Sequence, residues 1–186
     1  MNYKHKLFSL TAALLSAGLF SSAAQAATVT IDSLSYETNE NGTASVSDCP
    51  ENFTGAVTIP SSITVDGIAY TVTSIKNYAF QSCSSLTEVV IPEDVTEIKD
   101  WTFSECSSLT NIVIPKSVTF IGNQAFCGCS SLTKITIPNS VSSIGGYAFS
   151  DCSSLTEILI PESVTSIGDY SFQSCSSLIG IIIPRR

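Results

Sequence analysis

One stretch of this chain sets its architecture: Pro138–Ile160, which reads PNSVSSIGGYAFSDCSSLTEILI. The pattern in it recurs every 23 residues. Ile-Pro pairs begin at Ile91, Ile114, Ile137, Ile160 and Ile183. Phenylalanine recurs at Phe80, Phe103, Phe126, Phe149 and Phe172, and Cys-Ser-Ser-Leu begins at Cys83, Cys106, Cys129, Cys152 and Cys175. A fixed period of about 20–50 residues is typical of a solenoid, in which like residues of successive units stack into columns.

Each unit predicts two short strands joined by turns. The spacing L-x-x-I-x-I in Leu155–Ile160 is that of a strand with alternate residues facing inward, and Pro161 ends it because proline cannot donate to a ladder. Val164 and Ile167 indicate a second, shorter inward-facing strand. Lysine takes the place equivalent to Gly168 in two earlier units, so a left-handed backbone is not obligatory there.

Residues 27–58 do not fit the repeat and are predicted to form an N-terminal β cap. Alternation over Thr28–Tyr36 predicts one strand, and Asn39–Gly42 predicts a turn into a return strand at Thr43–Ser47. Ile59-Pro60 already resembles the Ile-Pro pair of the repeat. The solenoid is therefore predicted to span residues 59–186, with about five units and a hairpin at Asp66-Gly67 inserted into the first.

Residues 1–26 have the pattern of a bacterial Sec-type signal peptide. Lys4 and Lys6 precede the apolar run Leu7–Phe20, and Ala24-Gln25-Ala26 fits a small-x-small cleavage site. The run is shorter than the ~20 residues that a membrane helix needs, so we expect a secreted or cell-surface protein without a membrane span.

Charge argues against two classes of partner. Cleavage would remove Lys4 and Lys6 from the 8 basic residues and leave all 16 acidic ones, a formal charge of −10. Such a chain repels nucleic acid and anionic lipid, so neither is expected as a partner.

The repeat resembles a known family. The consensus L-x-x-I-x-I-P-x-x-V-x-x-I-G-x-x-A-F-x-x-C-S-S-L is similar to the leucine-rich repeat of the treponemal, or BspA-like, bacterial surface antigens, from about Ile59 to Pro184. The resemblance implies a leucine-rich-repeat solenoid: parallel strands stacked in a right-handed superhelix, with short second strands and helical turns behind an N-terminal β-hairpin cap. It also implies a secreted or surface-exposed protein, and some members act as adhesins on host matrix proteins such as fibronectin or fibrinogen.

Neither catalysis nor a cofactor is expected. Signal cleavage removes His5, the only histidine, and with it any Ser-His-Asp or Cys-His nucleophile. Glu88 and Glu157 share a column but lie three units apart, about 14 Å at 4.8 Å per unit, whereas glycosidases hold their carboxyls about 5–9.5 Å apart. Cys127-x-Cys129 alone is a weak zinc signal, so no metal is expected.

The chain has 7 cysteines, five of them in one slot of the repeat. Parallel side chains on strands about 4.8 Å apart hold their Cβ atoms beyond the ~3.8 Å typical of a disulfide. We therefore expect the column to consist of buried thiols. Because the total is odd, at least one thiol is free or bonded to another molecule.

Two surfaces are candidates for binding. One is the outward face of the main strands, where an exposed apolar column beside a polar one suits a protein partner, although β-branched residues also stabilise any half-exposed sheet. Its predicted residues are Glu88, Val90, Asn111, Val113, Lys134, Thr136, Glu157 and Leu159. The other is an aromatic column suited to carbohydrate, or alternatively a structural shelf over the phenylalanines. It comprises Tyr78, Trp101, Tyr147 and Tyr170, with Gln124 in the middle.

The sequence ends at Pro184-Arg185-Arg186, directly after the predicted strand Ile181, Ile182 and Ile183. An uncapped last unit exposes a strand edge and an apolar cross-section. Two interpretations stay open: the chain is a structural fragment of a longer surface protein, or this end pairs with another chain.

Overall fold

The structure is a computed structural model that describes residues 24–182. Over that range the chain forms fifteen strands in four sheets. The strands are β1 (Ala27–Ile31), β2 (Leu34–Thr38), β3 (Thr43–Asp48), β4 (Thr54–Thr58), β5 (Ser62–Val65), β6 (Ile68–Ile75), β7 (Ser85–Val90), β8 (Glu97–Ile98), β9 (Asn111–Val113), β10 (Phe120–Ile121), β11 (Lys134–Thr136), β12 (Ser143–Ile144), β13 (Glu157–Leu159), β14 (Ser166–Ile167) and β15 (Gly180–Ile182).

The repeat builds two parallel stacks of strands. The longer strands follow the orders β4-β7-β9 and β11-β13-β15, which together form the main face, and the second strands follow the order β8-β10-β12-β14. Pairing joins equivalent residues one period apart, as in Ile135↔Ile158 and Ile158↔Ile181. The 23-residue period therefore lays each unit on the next, and the prediction of a leucine-rich-repeat solenoid is confirmed.

The inward columns form one continuous core. Phe80, Phe103, Phe126 and Phe149 are each 0% exposed, and successive ring centroids lie 5.1, 5.5 and 5.3 Å apart. The rings of Phe126 and Phe149 are only 6° from parallel. Burying each such side chain contributes roughly 1.5–3 kcal/mol before the cost of ordering the chain, so the stack stabilises every junction between units.

The turns differ from the expected helical turns. Residues 24–182 contain no helix, because two left-handed residues interrupt each turn, for example Tyr147 (φ 55°) and Asp151 (φ 58°). Alternate N–H groups then donate to the next unit rather than along the chain. Phe149 N donates to Ser171 O at 2.8 Å, and Asp151 N donates to Gln173 O at 2.8 Å. The turns therefore continue the ladder between units that the strands begin.

The glycines before the aromatic column serve close packing. Gly145 and Gly168 do not have a positive φ, consistent with the lysines that replace glycine in earlier units. A Cβ on Gly145 would lie 2.5 Å from Asn123 N, and one on Gly168 would lie 2.3 Å from Gly146 N. Glycine is required here because the backbone of the preceding unit passes too close for a side chain.

The N-terminal sheet has the order β1-β2-β3-β6-β5. The prediction of a single strand over Thr28–Tyr36 is wrong: Asp32 (φ 47°) and Ser33 (φ 71°) form a two-residue turn between β1 and β2. A positive φ at both central residues gives the turn a twist that matches the right-handed twist of the two strands it joins. The hairpin predicted at Asp66-Gly67 is confirmed, because β5 and β6 pair across it. The domain boundary at residues 58 and 59 stays a prediction.

The C-terminal end of the described stack is open. Ile181 continues the inward column of Ile158, but Ile181 is 42% exposed and Ile158 is 1% exposed. Phe172 is likewise only partly buried at the end of the phenylalanine column. Ile183 and most of the predicted signal peptide, residues 1–23, lie outside the described residues.

Candidate recognition surfaces

The main face carries two outward columns that run side by side. Pairing places Glu88 opposite Asn111 and Lys134 opposite Glu157, while two residues further along each strand Val90 lies opposite Val113. We call the two sets the polar column and the apolar column, and every predicted residue in them is exposed. The polar column is Glu88, Asn111, Lys134 and Glu157; the apolar column is Val90, Val113, Thr136, Leu159 and Ile182.

The apolar column is unusually accessible for such side chains. Val113 is 48% exposed, Leu159 is 53% exposed and Ile182 is 47% exposed, whereas Ile158 between the outward positions is 1% exposed. Strand alternation therefore separates the core from an apolar stripe that faces solvent. Scattered apolar residues on a surface need no explanation, but a contiguous row is typical of an interaction site.

A shallow groove follows this face across the last units. Lys134, Thr136, Glu157, Leu159 and Ile182 line it. Two further hollows continue it past the Ile-Pro pairs, and they add Lys116, Pro138, Asn139, Pro161 and Glu162 to its lining. The sequence prediction missed these residues as part of the site.

Among the residues that the structure describes, the charges of the groove have no ionic partner within 4.0 Å. Lys134 lies in register with Glu157, but the two side chains do not form an ion pair. Within residues 24–182, the ion pair with a nitrogen–oxygen distance below 4.0 Å is that of Lys76 with Glu37, which lies far from the groove. The cross-strand pair is therefore solvated, which makes it worth little to stability. Both groups are available to charges on a partner.

The aromatic column stacks its rings on one another. Tyr78 lies 6.0 Å from Trp101 at 27°, and Tyr147 lies 5.0 Å from Tyr170 at 24°. Because stacking covers the faces of the rings, it is the ring edges and the tyrosine hydroxyls that face outward. Gln124 separates the two pairs, so one face of Trp101 and one face of Tyr147 adjoin Gln124 instead of another ring of the column.

All four aromatic residues and Gln124 have left-handed backbone angles, between 54° and 65°. Non-glycine residues pay a conformational cost in this region, of order 1–2 kcal/mol each. The aromatic stacking offsets part of that cost in the two pairs but not at Gln124. Tyr170 is 63% exposed and Tyr78 is 52% exposed, so the column is accessible at both of its ends.

The cysteine column consists of free thiols, as predicted. Cys106, Cys129 and Cys152 are 0% exposed. Each donates to the carbonyl of a phenylalanine one unit earlier: Cys129 Sγ lies 3.1 Å from Phe103 O, and the others follow the same pattern. Burial raises the pKa of these thiols. Residues 24–182 contain no group of three or more His, Cys, Asp or Glu side chains placed to hold a metal.

Comparison with known proteins identifies the family. A model of the BspA type leucine-rich repeat region matches residues 73–186 in six copies. The chain belongs to the BspA-type leucine-rich repeat family. The resemblance noted in the repeat consensus is therefore confirmed, and the family consists of repeat proteins suited to protein interaction.

Solved structures of bacterial leucine-rich repeat proteins have the same fold. A leucine-rich repeat protein from Bacteroides ovatus is 40% identical with a TM-score of 0.76, over 84% of this chain and 41% of that one. The Treponema pallidum leucine-rich repeat protein TpLRR is 29% identical with a TM-score of 0.69, over 84% of this chain and 67% of that one. The chain thus spans less than half the length of the Bacteroides protein. No curated protein matches it.

Within residues 24–182, no helix has the length and apolar character needed to cross a bilayer.

Proposed function

We propose that this BspA-type chain is a non-catalytic recognition module, secreted or displayed on a bacterial surface, that binds a protein partner through its main face. The observation that supports this most directly is the exposed apolar column beside the unpaired charges of the polar column. A protein interface combines an apolar centre with a polar rim, and here both run along a rigid sheet. The resemblance to BspA-like adhesins makes an extracellular matrix protein the first partner to test.

The groove gives the interface a charge pattern. Lys116 and Lys134 lie in two successive units, and Glu157 and Glu162 both lie in the unit that follows them. A partner with acidic residues at one end of an apolar segment and basic residues at the other would complement this order. Such complementarity acts mainly on the association rate and on specificity, so binding is expected to weaken with added salt.

Binding of the purified chain to immobilised fibronectin and fibrinogen tests the proposal. Leu159→Asp places a charge in the apolar column and is expected to weaken binding at least tenfold, the size of a central contact. Ser166→Asp is the matched control, because Ser166 is exposed on β14, in the second stack of strands. Equal binding by Leu159→Asp and the unmodified chain would refute the main face as the site.

Carbohydrate binding is a second candidate, supported by the break in the aromatic column. With units about 4.8 Å apart, the facing rings of Trp101 and Tyr147 are roughly 10 Å apart, enough for a sugar ring between them. Gln124 lies between the two rings, and its side-chain amide offers both a donor and an acceptor for sugar hydroxyls.

A glycan array separates this candidate from the first. Trp101→Ala is expected to abolish sugar binding and leave protein binding intact. Gln124→Tyr fills the gap with a fifth ring while keeping Trp101, so it too should abolish sugar binding. Sugar binding that survives Gln124→Tyr would rule out the gap as its site.

Self-association is proposed for the open end at Ile181, Ile182 and Ile183. Exposure of Ile181 and Ile182 supports it, whereas Ile183 lies outside the described residues. Light scattering on the purified chain tests it, and a monomer at high concentration would count against this interface. If the chain is instead a fragment of a longer surface protein, a further repeat appended after Ile183 should raise its stability.

A further inference from the structure

Cys49 occupies a phenylalanine position. Its N–H donates to Ala79 O at 2.7 Å, just as Phe103 N donates to Ala125 O at 2.8 Å in the repeat. Its carbonyl accepts from Cys83 Sγ at 3.4 Å, as the Phe80 carbonyl accepts from the next thiol of the column. The phenylalanine stack therefore ends at Phe80. The next position of that column is occupied by Cys49, which directly follows β3 of the N-terminal sheet.

This placement brings two buried thiols together. Cys49 is 3% exposed and Cys83 is 0% exposed. Successive cysteines of the column occupy the same position in parallel units, whereas Cys49 occupies a position of the adjacent phenylalanine column, and its own carbonyl lies 3.4 Å from Cys83 Sγ. Because Cys49 and Cys83 belong to different columns, they are not held in the parallel geometry that keeps the other cysteines from forming a disulfide.

Both thiols are free in the structure. We propose that Cys49 and Cys83 form a disulfide once the protein is exported, and that this bond fixes the N-terminal cap to the first repeat unit. The inference is independent of the proposed function but rests on the predicted export, because disulfides persist in oxidising compartments. The bond would close the chain between residues 49 and 83, including the hairpin of β5 and β6. The other five cysteines stay reduced.

The oxidant is a thiol–disulfide oxidoreductase or a small disulfide such as oxidised glutathione. The Cys83 thiolate attacks one sulfur of that disulfide and releases the other as a thiolate. The Cys49 thiolate then attacks the Cys83 sulfur of the mixed disulfide and releases the second thiolate. Two protein thiols are thereby oxidised to one disulfide, and the external disulfide takes up both electrons and both protons as two thiols.

Mass spectrometry of the chain exported to a bacterial periplasm tests the proposal. The protein is denatured without reductant, alkylated with iodoacetamide and digested. We expect five alkylated cysteines and one linked peptide pair joining Cys49 to Cys83. Adding reductant first should give seven alkylated cysteines and lower the melting temperature by about 5 °C or more.

Two variants sharpen the test. Cys127→Ser should keep the linked pair and leave four alkylated cysteines, because Cys127 lies outside the column. Cys49→Ser should lose the linked peptide pair and leave six alkylated cysteines. Seven alkylated cysteines in the unmodified exported chain, or a linkage between two members of the column, would overturn the proposal even if neither variant folds.

Discussion

Replacing one phenylalanine in the middle of the stack with alanine tests whether neighbouring units stabilise each other through the stacked rings. Phe126 is 0% exposed and stacks on Phe103 at 5.5 Å and on Phe149 at 5.3 Å. Replacing a buried phenylalanine with alanine costs about 3–5 kcal/mol, and each of the two lost ring pairs adds about 0.5 kcal/mol, the lower end for an aromatic pair, because the truncation cost already includes part of the contact. Phe126→Ala is therefore expected to lower the free energy of unfolding by about 4–6 kcal/mol, much of the total for a typical domain.

Phe172 is the matched control, because it lies at the end of the same column. It is partly buried and stacks on Phe149 at 5.6 Å, with no phenylalanine after it in the sequence. Phe172→Ala should cost about 1–2 kcal/mol, since less surface and one ring pair are lost. The expected difference between the two variants is about 3 kcal/mol.

Guanidinium denaturation followed by circular dichroism measures both values. Phe126→Leu provides a milder probe if the alanine variant does not fold, because leucine keeps most of the burial but removes both ring pairs. Equal losses at Phe126 and Phe172 would refute the reasoning. They would mean that neighbouring units do not support each other through the ring stack.

Three further predictions concern the turns and the thiols. Gly145→Ala should destabilise the protein by about 1–3 kcal/mol in thermal melts, because its Cβ would lie 2.5 Å from Asn123 N, while Gly180→Ala, with nothing within 4 Å, should be nearly neutral. Gln124→Gly should raise the free energy of unfolding by about 0.5–1 kcal/mol in urea titrations, since Gln124 has φ 54° and glycine adopts that angle without strain. Stability should fall as pH rises above about 8.5, because burial raises the pKa of the Cys129 thiol in the folded state and the unfolded chain loses its proton first. Denaturation at pH 7.5 to 10 under reducing conditions checks this, and Cys129→Ala should reduce the slope by about one proton; a flat profile would contradict the assignment of buried neutral thiols.

The candidate surfaces could be predicted from the sequence because a fixed period assigns each residue to a column. Glu157 and Leu159 were placed on the main face by alternation alone, and the structure finds both exposed there. The face-to-face stacking of the aromatic rings could not be predicted, because ring orientation depends on side-chain torsions and on the left-handed backbone at Tyr147. The extension of the groove past Pro161 also depended on how the units are arranged in space.

The sequence by itself determined the solenoid, its columns and the burial of the phenylalanines and cysteines, because a side chain repeated every 23 residues stacks on its own copy whatever the details of the turns. Only the tertiary structure decided how the chain passes between strands. Left-handed residues such as Tyr147 and Asp151 replace the expected helical turns, and close packing of backbones requires glycine at residue 145. The contact between Cys49 and Cys83 likewise depended on the fold, since it joins the irregular N-terminal sheet to the repeat, where no period relates one residue to the other.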